Sequence, residues 1–193
     1  AEYGWNKELG MKWSAIRGKL FLSATIFQFD LKDAIVRQTN AAGAEYFANA
    51  GAVKQKGFES EFNWIVINNS RGKKVNYLQL MGSFTLNDFK FGEYQAGNSN
   101  FRGNKLTGIP DQVFTAGLQS EFLNHFYFNL NFNYTGGMPL NDVNTVYASA
   151  YRLWQSKIGW KTKVKRKLLD TYFLVDNISD EQYSLGNDIN AFG

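Results

Sequence analysis

The sequence contains no cysteine, so neither a disulfide framework nor a thiolate metal site is open to it. That absence leaves the compartment undetermined. Proline occurs twice and histidine once in 193 residues. The single histidine, His125, sits in the short turn "NH", where an imidazole is an ordinary solvated side chain. No run approaches the ~18 uninterrupted apolar residues that a transmembrane helix needs. The nucleophile elbow G-x-S-x-G, the zinc motif H-E-x-x-H, the P-loop and the dinucleotide fingerprint G-x-G-x-x-G are all missing. No catalytic residue, metal site or cofactor is therefore expected. The net charge of +4 is modest and its lysines and arginines are scattered, so no nucleic-acid partner is expected. The opening "AEYGWNKELG" has no initiator methionine, charged leader or apolar core, and reads as a mature or excised segment.

Aromatic side chains are abundant: 17 Phe, 10 Tyr and 5 Trp, a composition that favours strands over helices. The stretch "FYFNLNFNY" (126–134) shows how they are arranged. Phe126, Phe128, Leu130, Phe132 and Tyr134 fall on one face of a strand, and Tyr127, Asn129, Asn131 and Asn133 on the other. The same period of two yields eight strand candidates, at about 3–15, 20–37, 51–67, 75–91, 107–122, 126–134, 148–163 and 168–178. In the third, Phe58, Phe62, Trp64 and Val66 oppose Glu59, Glu61 and Asn63. In the seventh, Trp154, Ile158 and Trp160 oppose Gln155, Lys157 and Lys161. Several exceed the ~5–6 residues of an ordinary globular strand and reach the ~9–11 of a tilted bilayer-crossing one.

The connections strictly alternate in length. Those at 16–19, 68–74, 124–125 and 165–167 are short, and those at 38–50, 92–106, 136–147 and 179–193 are long. This is the layout of an outer-membrane barrel, with short turns at one rim and long loops at the other. The expected fold is all-β, an antiparallel up-and-down meander of about eight long membrane-spanning strands. One face would meet lipid tails, and the other a polar interior. Trp5, Tyr134, Tyr151 and Tyr183 are expected to form interfacial girdles. A half-buried antiparallel sheet in a soluble protein alternates too, so that reading stays open.

Four stretches resemble the C-terminal barrel region of TonB-dependent outer-membrane receptors. "YFANAGAVKQKGFESEF" (46–62) resembles the Y-x-N-x-G…K-G-x-E-x-E strand, through Tyr46, Asn49, Gly51, Lys56, Gly57, Glu59 and Glu61. "LTGIPDQVFTAGL" (106–118) resembles the entry to a later strand, although the family often has His or Asn near Asp111. "FLSATIFQFDLKDAIV" (21–36) resembles a strand ending in D-x-I. "LVDNISDEQY" (174–183) resembles the late V-x-N-L-x-D-x-x-Y signature, with Ile178 in place of Leu. Read as residues, these are structural positions. Gly57 allows a bend or close packing, Pro110 suits a strand's first residue, and Asn177 and Asp180 suit a turn next to Tyr183.

The resemblance implies a plugged barrel of 22 strands, of which residues 1–193 would be the fourteenth to twenty-first. The chain is thus expected to be a fragment without plug domain or last strand. It implies residence in the bacterial outer membrane and energised uptake of a scarce nutrient, foremost a ferric siderophore. The partners implied are membrane lipid, the plug of the same full-length chain and, through it, the TonB system. Tyr46, Phe47, Tyr94, Phe101, Arg102 and Tyr147 in the long connections are the candidate ligand-facing groups, because aromatics and arginine suit anionic or aromatic chelates. Glu59 and Glu61 are expected to line a polar interior. The basic residues near the short turns, such as Lys73, Lys74, Lys163 and Lys165, read as a solvated rim or a contact with anionic headgroups. A closed eight-stranded barrel around an apolar ligand is the alternative. A barrel enzyme would need a clustered acid–base set at one rim, which the sequence does not show.

Overall fold

The computed structural model describes residues 2–33, 35–39, 45–49, 51–69, 72–96 and 99–184; the side chains of 35–39, 45–49 and Ala96 are not described. Fourteen strands follow in chain order: β1 Tyr3–Ala15, β2 Leu20–Lys32, β3 Ile35–Thr39, β4 Glu45–Asn49, β5 Val53–Asn68, β6 Val75–Phe91, β7 Gln95–Ala96, β8 Ser99–Asn100, β9 Gln112–Phe122, β10 Phe126–Thr135, β11 Met138–Pro139, β12 Tyr147–Ala148, β13 Tyr151–Val164 and β14 Lys167–Val175. Eight of them form one antiparallel sheet in the order β1-β2-β5-β6-β9-β10-β13-β14. The rest pair as β3-β4, β7-β8 and β11-β12, one small hairpin in each of three long connections. Among the described residues no helix is long and apolar enough to cross a membrane.

The all-β meander is therefore as the alternation predicts, with several boundaries moved. The strand expected over 20–37 stops at Lys32, because Asp33 adopts a left-handed backbone (φ 56°), and β3 is a separate hairpin strand. The strand expected from residue 107 begins at Gln112, so Pro110 is not its first residue. Asn87 instead anchors that irregular entry, its Nδ2 donating to Pro110 O (3.0 Å) and its backbone N to Asp111 O (2.8 Å). The strand expected from 148 begins at Tyr151, and the one expected to reach 178 stops at Val175. Val66 falls within an irregularity of the β5–β6 ladder. The register shifts between Ile65 and Ile67, so Ile67, paired with Leu78, continues the apolar face. A bulge inserts one residue and thereby restores the correct side.

The short turns bend tightly at the cost of backbone strain. Ile16, Arg17, Leu123, Asn124 and Lys165 all have positive φ without being glycine. Asn124 offsets part of this, its Oδ1 accepting from Gly72 N (2.9 Å) and Asn76 Nδ2 (3.2 Å) of the neighbouring turn.

Register assigns every strand residue to one of two faces. Trp13, Leu22, Phe62, Gly82, Ala116, Phe132 and Trp154 lie side by side in one row across seven strands. The adjacent row is Met11, Ala24, Ser60, Phe84, Phe114 and Tyr134. These rows belong to the outward face. Leu9, Met11 and Phe173 on it are 71%, 64% and 68% exposed. Water would penalise such a surface by ~25 cal/mol per Å², whereas hydrocarbon removes the penalty. The ten residues of β10 match the ~9–11 that a tilted crossing requires.

The inward face carries amides and hydroxyls bonded to each other. Gln79 Nε2 donates to Asn63 Oδ1 (2.7 Å), Tyr77 OH to Gln79 Oε1 (2.7 Å), and Asn131 Nδ2 to Gln155 Oε1 (3.1 Å). Ser83 and Thr115 share a hydroxyl bond of 2.7 Å. Two glycines on this face lie directly opposite aromatics that fold over them. Gly57 faces Phe27, and a Cβ there would lie 2.4 Å from the phenyl ring. Gly159 faces Tyr127, and a Cβ would lie 2.2 Å from Tyr127 Cζ. The space over Gly159 lets Tyr127 reach across β13 and donate its hydroxyl to Asp170 on β14 (2.9 Å).

Gly159→Val is expected to cost about 1–3 kcal/mol, the usual penalty of overpacking. Tyr127→Ala in the same background should restore part of the loss. Urea unfolding in detergent measures both, and an unchanged midpoint for Gly159→Val would show that Tyr127 does not occupy that space.

Candidate functional site

The long connections gather at one end of the sheet, and two of them are stitched together. Asp142 is the centre. Its carboxylate accepts from Thr107 Oγ1 and, at 3.4 Å, from Tyr94 OH, while its backbone oxygen accepts from Asn104 Nδ2 (2.7 Å). Asn144 is a second staple. Its Oδ1 accepts from Lys105 N (2.6 Å), and its Nδ2 donates to Lys105 O (3.0 Å) and Asn141 O (3.1 Å). That double clasp holds Asn144 at φ 58°, a conformation asparagine tolerates better than most residues. Gly108 N also donates to Pro139 O (2.8 Å). The connection after β6 is thus bound to the one after β10.

Beneath the staples lies a small apolar core of Phe91, Tyr94 and Phe101, with Leu106 against it. The rings of Phe91 and Tyr94 are 4.8 Å apart, and those of Tyr94 and Phe101 5.3 Å. Lys105 Nζ pairs with Asp111 Oδ2 at 2.6 Å. That hydrogen bond raises the Lys105 pKa above its usual 10.5. A raised lysine keeps its contribution at neutral pH and loses it only as the pH climbs past the raised value.

The structure places the sequence-named residues as follows. Tyr46, Phe47 and Asn49 have their backbone in β4, paired with Gln38, Arg37 and Ile35; their side chains lie outside the described residues. Tyr94 and Phe101 are 3% and 9% exposed, so they build the loop core instead of facing outward. Arg102 and Tyr147 are exposed, and Arg102 stands 3.9 Å from Glu93. Gly51 has φ 85°, and a Cβ there would collide with Glu93 O at 1.3 Å, so only glycine fits. Glu59 lies on the inward face between Thr25 and Thr85. Asn177 clamps Glu181 from both sides, accepting from its N (2.9 Å) and donating to its O (3.0 Å). Asp180 contributes a positive φ of 51° and a backbone bond to Asn177 O (3.0 Å).

The girdle expected from the sequence is corrected at Tyr151. It pairs with Thr135 on the inward face and stacks on Tyr183 at 4.7 Å. Trp5 and Tyr134 lie on the outward face, and Arg152 covers the Tyr134 ring at 5.5 Å.

Asp142, Asn144 and Thr107 escaped the sequence reading. The signal for Asp142 and Asn144 is the run "LNDVN" (140–144), which reads as an ordinary turn, and Thr107 lies in the 106–118 motif without being singled out there. The same reading missed the inward cluster around Tyr127, where Lys161 lies 4.4 Å from the Tyr127 ring and Lys157 3.8 Å from the Tyr172 ring. His125 is tied to the neighbouring strand β13, its Nδ1 donating to Lys161 O (3.0 Å) and its O accepting from Lys161 N (2.7 Å). Among the described residues no group of three or more His, Asp or Glu could hold a metal ion. The arrangement presents surfaces for binding.

Asp142→Ala removes the acceptor for two hydroxyls and is expected to cost about 1–3 kcal/mol locally. Limited proteolysis should then cut within 99–111 and 140–147 sooner than in the unaltered protein. Equal cleavage rates would mean the loops are held by the aromatic core alone.

A model of the family described as "TonB dependent receptor-like, beta-barrel" matches residues 1–178. The chain is similar in fold to the siderophore receptor PiuA from Acinetobacter baumannii, with a TM-score of 0.73 and 20% identity over 94% of this chain and 25% of that one. For the ferric yersiniabactin uptake receptor FyuA from Yersinia pestis the TM-score is 0.70, with 21% identity over 95% of this chain and 26% of that one. For BauA, the ferric preacinetobactin receptor of Acinetobacter baumannii, it is 0.71, with 18% identity over 93% and 26%. The chain therefore spans about a quarter of the length of these receptors. With the outward apolar rows, the polar inward ladder and the alternating connections, this match makes the chain a member of the TonB-dependent receptor β-barrel family of the bacterial outer membrane.

Proposed function

We propose that this chain forms part of the wall of a larger outer-membrane barrel, of 22 strands, that takes up a scarce nutrient, foremost a ferric siderophore. Energy would arrive from the TonB system through a plug domain of the same full-length protein. The observation that carries this reading is the rim itself. Connections stitched through Asp142 and Asn144 stand above a sheet with one apolar and one polar face. Such a rim holds exposed groups in place for a ligand, which reduces the ordering cost of binding. Arg102 and Tyr147 are the described candidates that remain exposed. Arg102 would meet an anionic chelate, and Tyr147 would offer it an aromatic face. The three similar structures named above, a siderophore receptor, a ferric yersiniabactin uptake receptor and a ferric preacinetobactin receptor, support this ligand class.

The wall reading follows from the sheet's edges. Among the described residues β1 pairs only with β2, and β14 only with β13. An unpaired edge in hydrocarbon costs several kcal/mol for each bare backbone group, so further strands must cover both. Inward groups such as Tyr127, Lys157 and Glu59 would then meet the plug.

Two outcomes are expected. In cells expressing the full receptor, Arg102→Ala with Tyr147→Ala should weaken binding of radioiron-labelled siderophore about tenfold or more, the loss of one or two good contacts. Unchanged binding and uptake by that variant would remove these residues from the ligand site. Prepared alone without detergent, residues 1–193 should self-associate through the open edges. A monodisperse monomer in light scattering would instead support a closed small barrel.

A further inference from the structure

The four short connections carry charge of one sign. "IRGK" (16–19), "NNSRGKK" (68–74), "NH" (124–125) and "KRK" (165–167) contain no aspartate or glutamate. Arg17, Lys19, Lys73, Lys74, Lys165 and Arg166 are exposed, and none has a carboxylate partner among the described residues. The opposite end of the sheet is mixed. There Lys54, Lys90 and Lys105 stand in line, but Lys90 pairs with Asp88 (2.6 Å) and Lys105 with Asp111 (2.6 Å). A rim that met only water would gain nothing from excluding carboxylates, because gathered like charges repel.

The same turns expose apolar side chains. Ile16 is 54% and Leu123 56% exposed, and both have left-handed backbones, at φ 51° and 50°. For a β-branched residue such as Ile16 that conformation is strained. Arg17 and Lys165 are left-handed as well, at φ 54° and 57°. Glycine, asparagine or aspartate would sit at these positions with less strain. Strain accepted at an exposed site points to a use for the side chains held there. Next to the turns the outward face ends in a row of Val75, Phe122, Phe126 and Trp160, in which the Phe122 and Phe126 rings stack at 5.7 Å. Val164 and Leu169, on the same face as Trp160, flank the Lys165–Arg166 turn and are exposed. Apolar groups and unpaired cations at one level suit a membrane interface, where the first enter hydrocarbon and the second meet headgroups. A soluble anion would use the cations and leave Ile16, Leu123 and Val164 in water.

We propose that the short-turn rim seats on anionic glycerophospholipid in the leaflet at that end. Arg17, Lys19, Lys165 and Arg166 bind the headgroup phosphodiester, while Ile16 and Leu123 enter the acyl region beside Phe126 and Trp160. This seating requires an outward face in contact with lipid and is independent of the receptor's cargo.

The test uses the full-length protein in phosphatidylcholine nanodiscs doped with phosphatidylglycerol or phosphatidylethanolamine, each carrying a photoreactive diazirine at its headgroup. Cross-links are mapped to peptides by mass spectrometry. Peptides holding 16–19 and 163–167 should be labelled preferentially by the phosphatidylglycerol analogue. Lys165→Gln with Arg166→Gln should cut that preference at their own turn about twenty-fold, roughly five-fold for each charge at an anionic surface, and leave it in place at 16–19. Equal labelling by the two analogues, or no effect of the double variant, would overturn the proposal. So would loss of the preference to added inorganic phosphate at matched ionic strength, because the turns would then be a site for free anions. Phosphatidylcholine with the diazirine on its acyl chain should label Phe126 and Trp160 in both proteins. Absence of that labelling would overturn the proposal together with the membrane-wall reading on which it rests.

Discussion

Every amide that crosses hydrocarbon must find its hydrogen bond inside the protein, and this single requirement organises the chain. No water is available there, so a strand can cross only if both neighbours are strands in register. The six inner strands of the sheet meet this condition, paired on each side over nine residues or more. The bulge between Ile65 and Ile67 returns β5 to the correct face, and the non-glycine left-handed residues reverse the chain within a few residues. Local strain at the turns is tolerated because the ladder between them is long and cooperative.

The two faces answer different surroundings through the same period of two. Outward rows of Leu, Phe and Trp need no partner beyond lipid tails. Inward amides and hydroxyls are bonded across strands, which stiffens the wall from within. Where a tyrosine must cross a strand to reach Asp170, the strand beneath it is a glycine, so packing and hydrogen bonding are solved at one position. The outward face ends where lysines replace leucines, and aromatics mark the boundary. The rim beyond it is held by a different device, side-chain amides and carboxylates bonded to loop backbone.

Much of this was legible before any coordinates. Alternation in "FYFNLNFNY" and the short–long sequence of connections determined the eight strands of the main sheet, their antiparallel order and, for most strand residues, which side faces out, but not the three small hairpins. The motifs around Gly57, Pro110 and Asn177 pointed to the family. Only the tertiary structure decided the rest. It turned Tyr94 and Phe101 inward, made Asp142 and Asn144 the staples of the rim, and moved Tyr151 from an expected girdle to the interior. It also lined up Lys54, Lys90 and Lys105, which are far apart in the chain. The physical reason is the range of the interactions. A period of two is a local property, set by how successive side chains leave a strand. Register across strands and contacts between loops join residues tens of positions apart, and only the folded sheet brings them together.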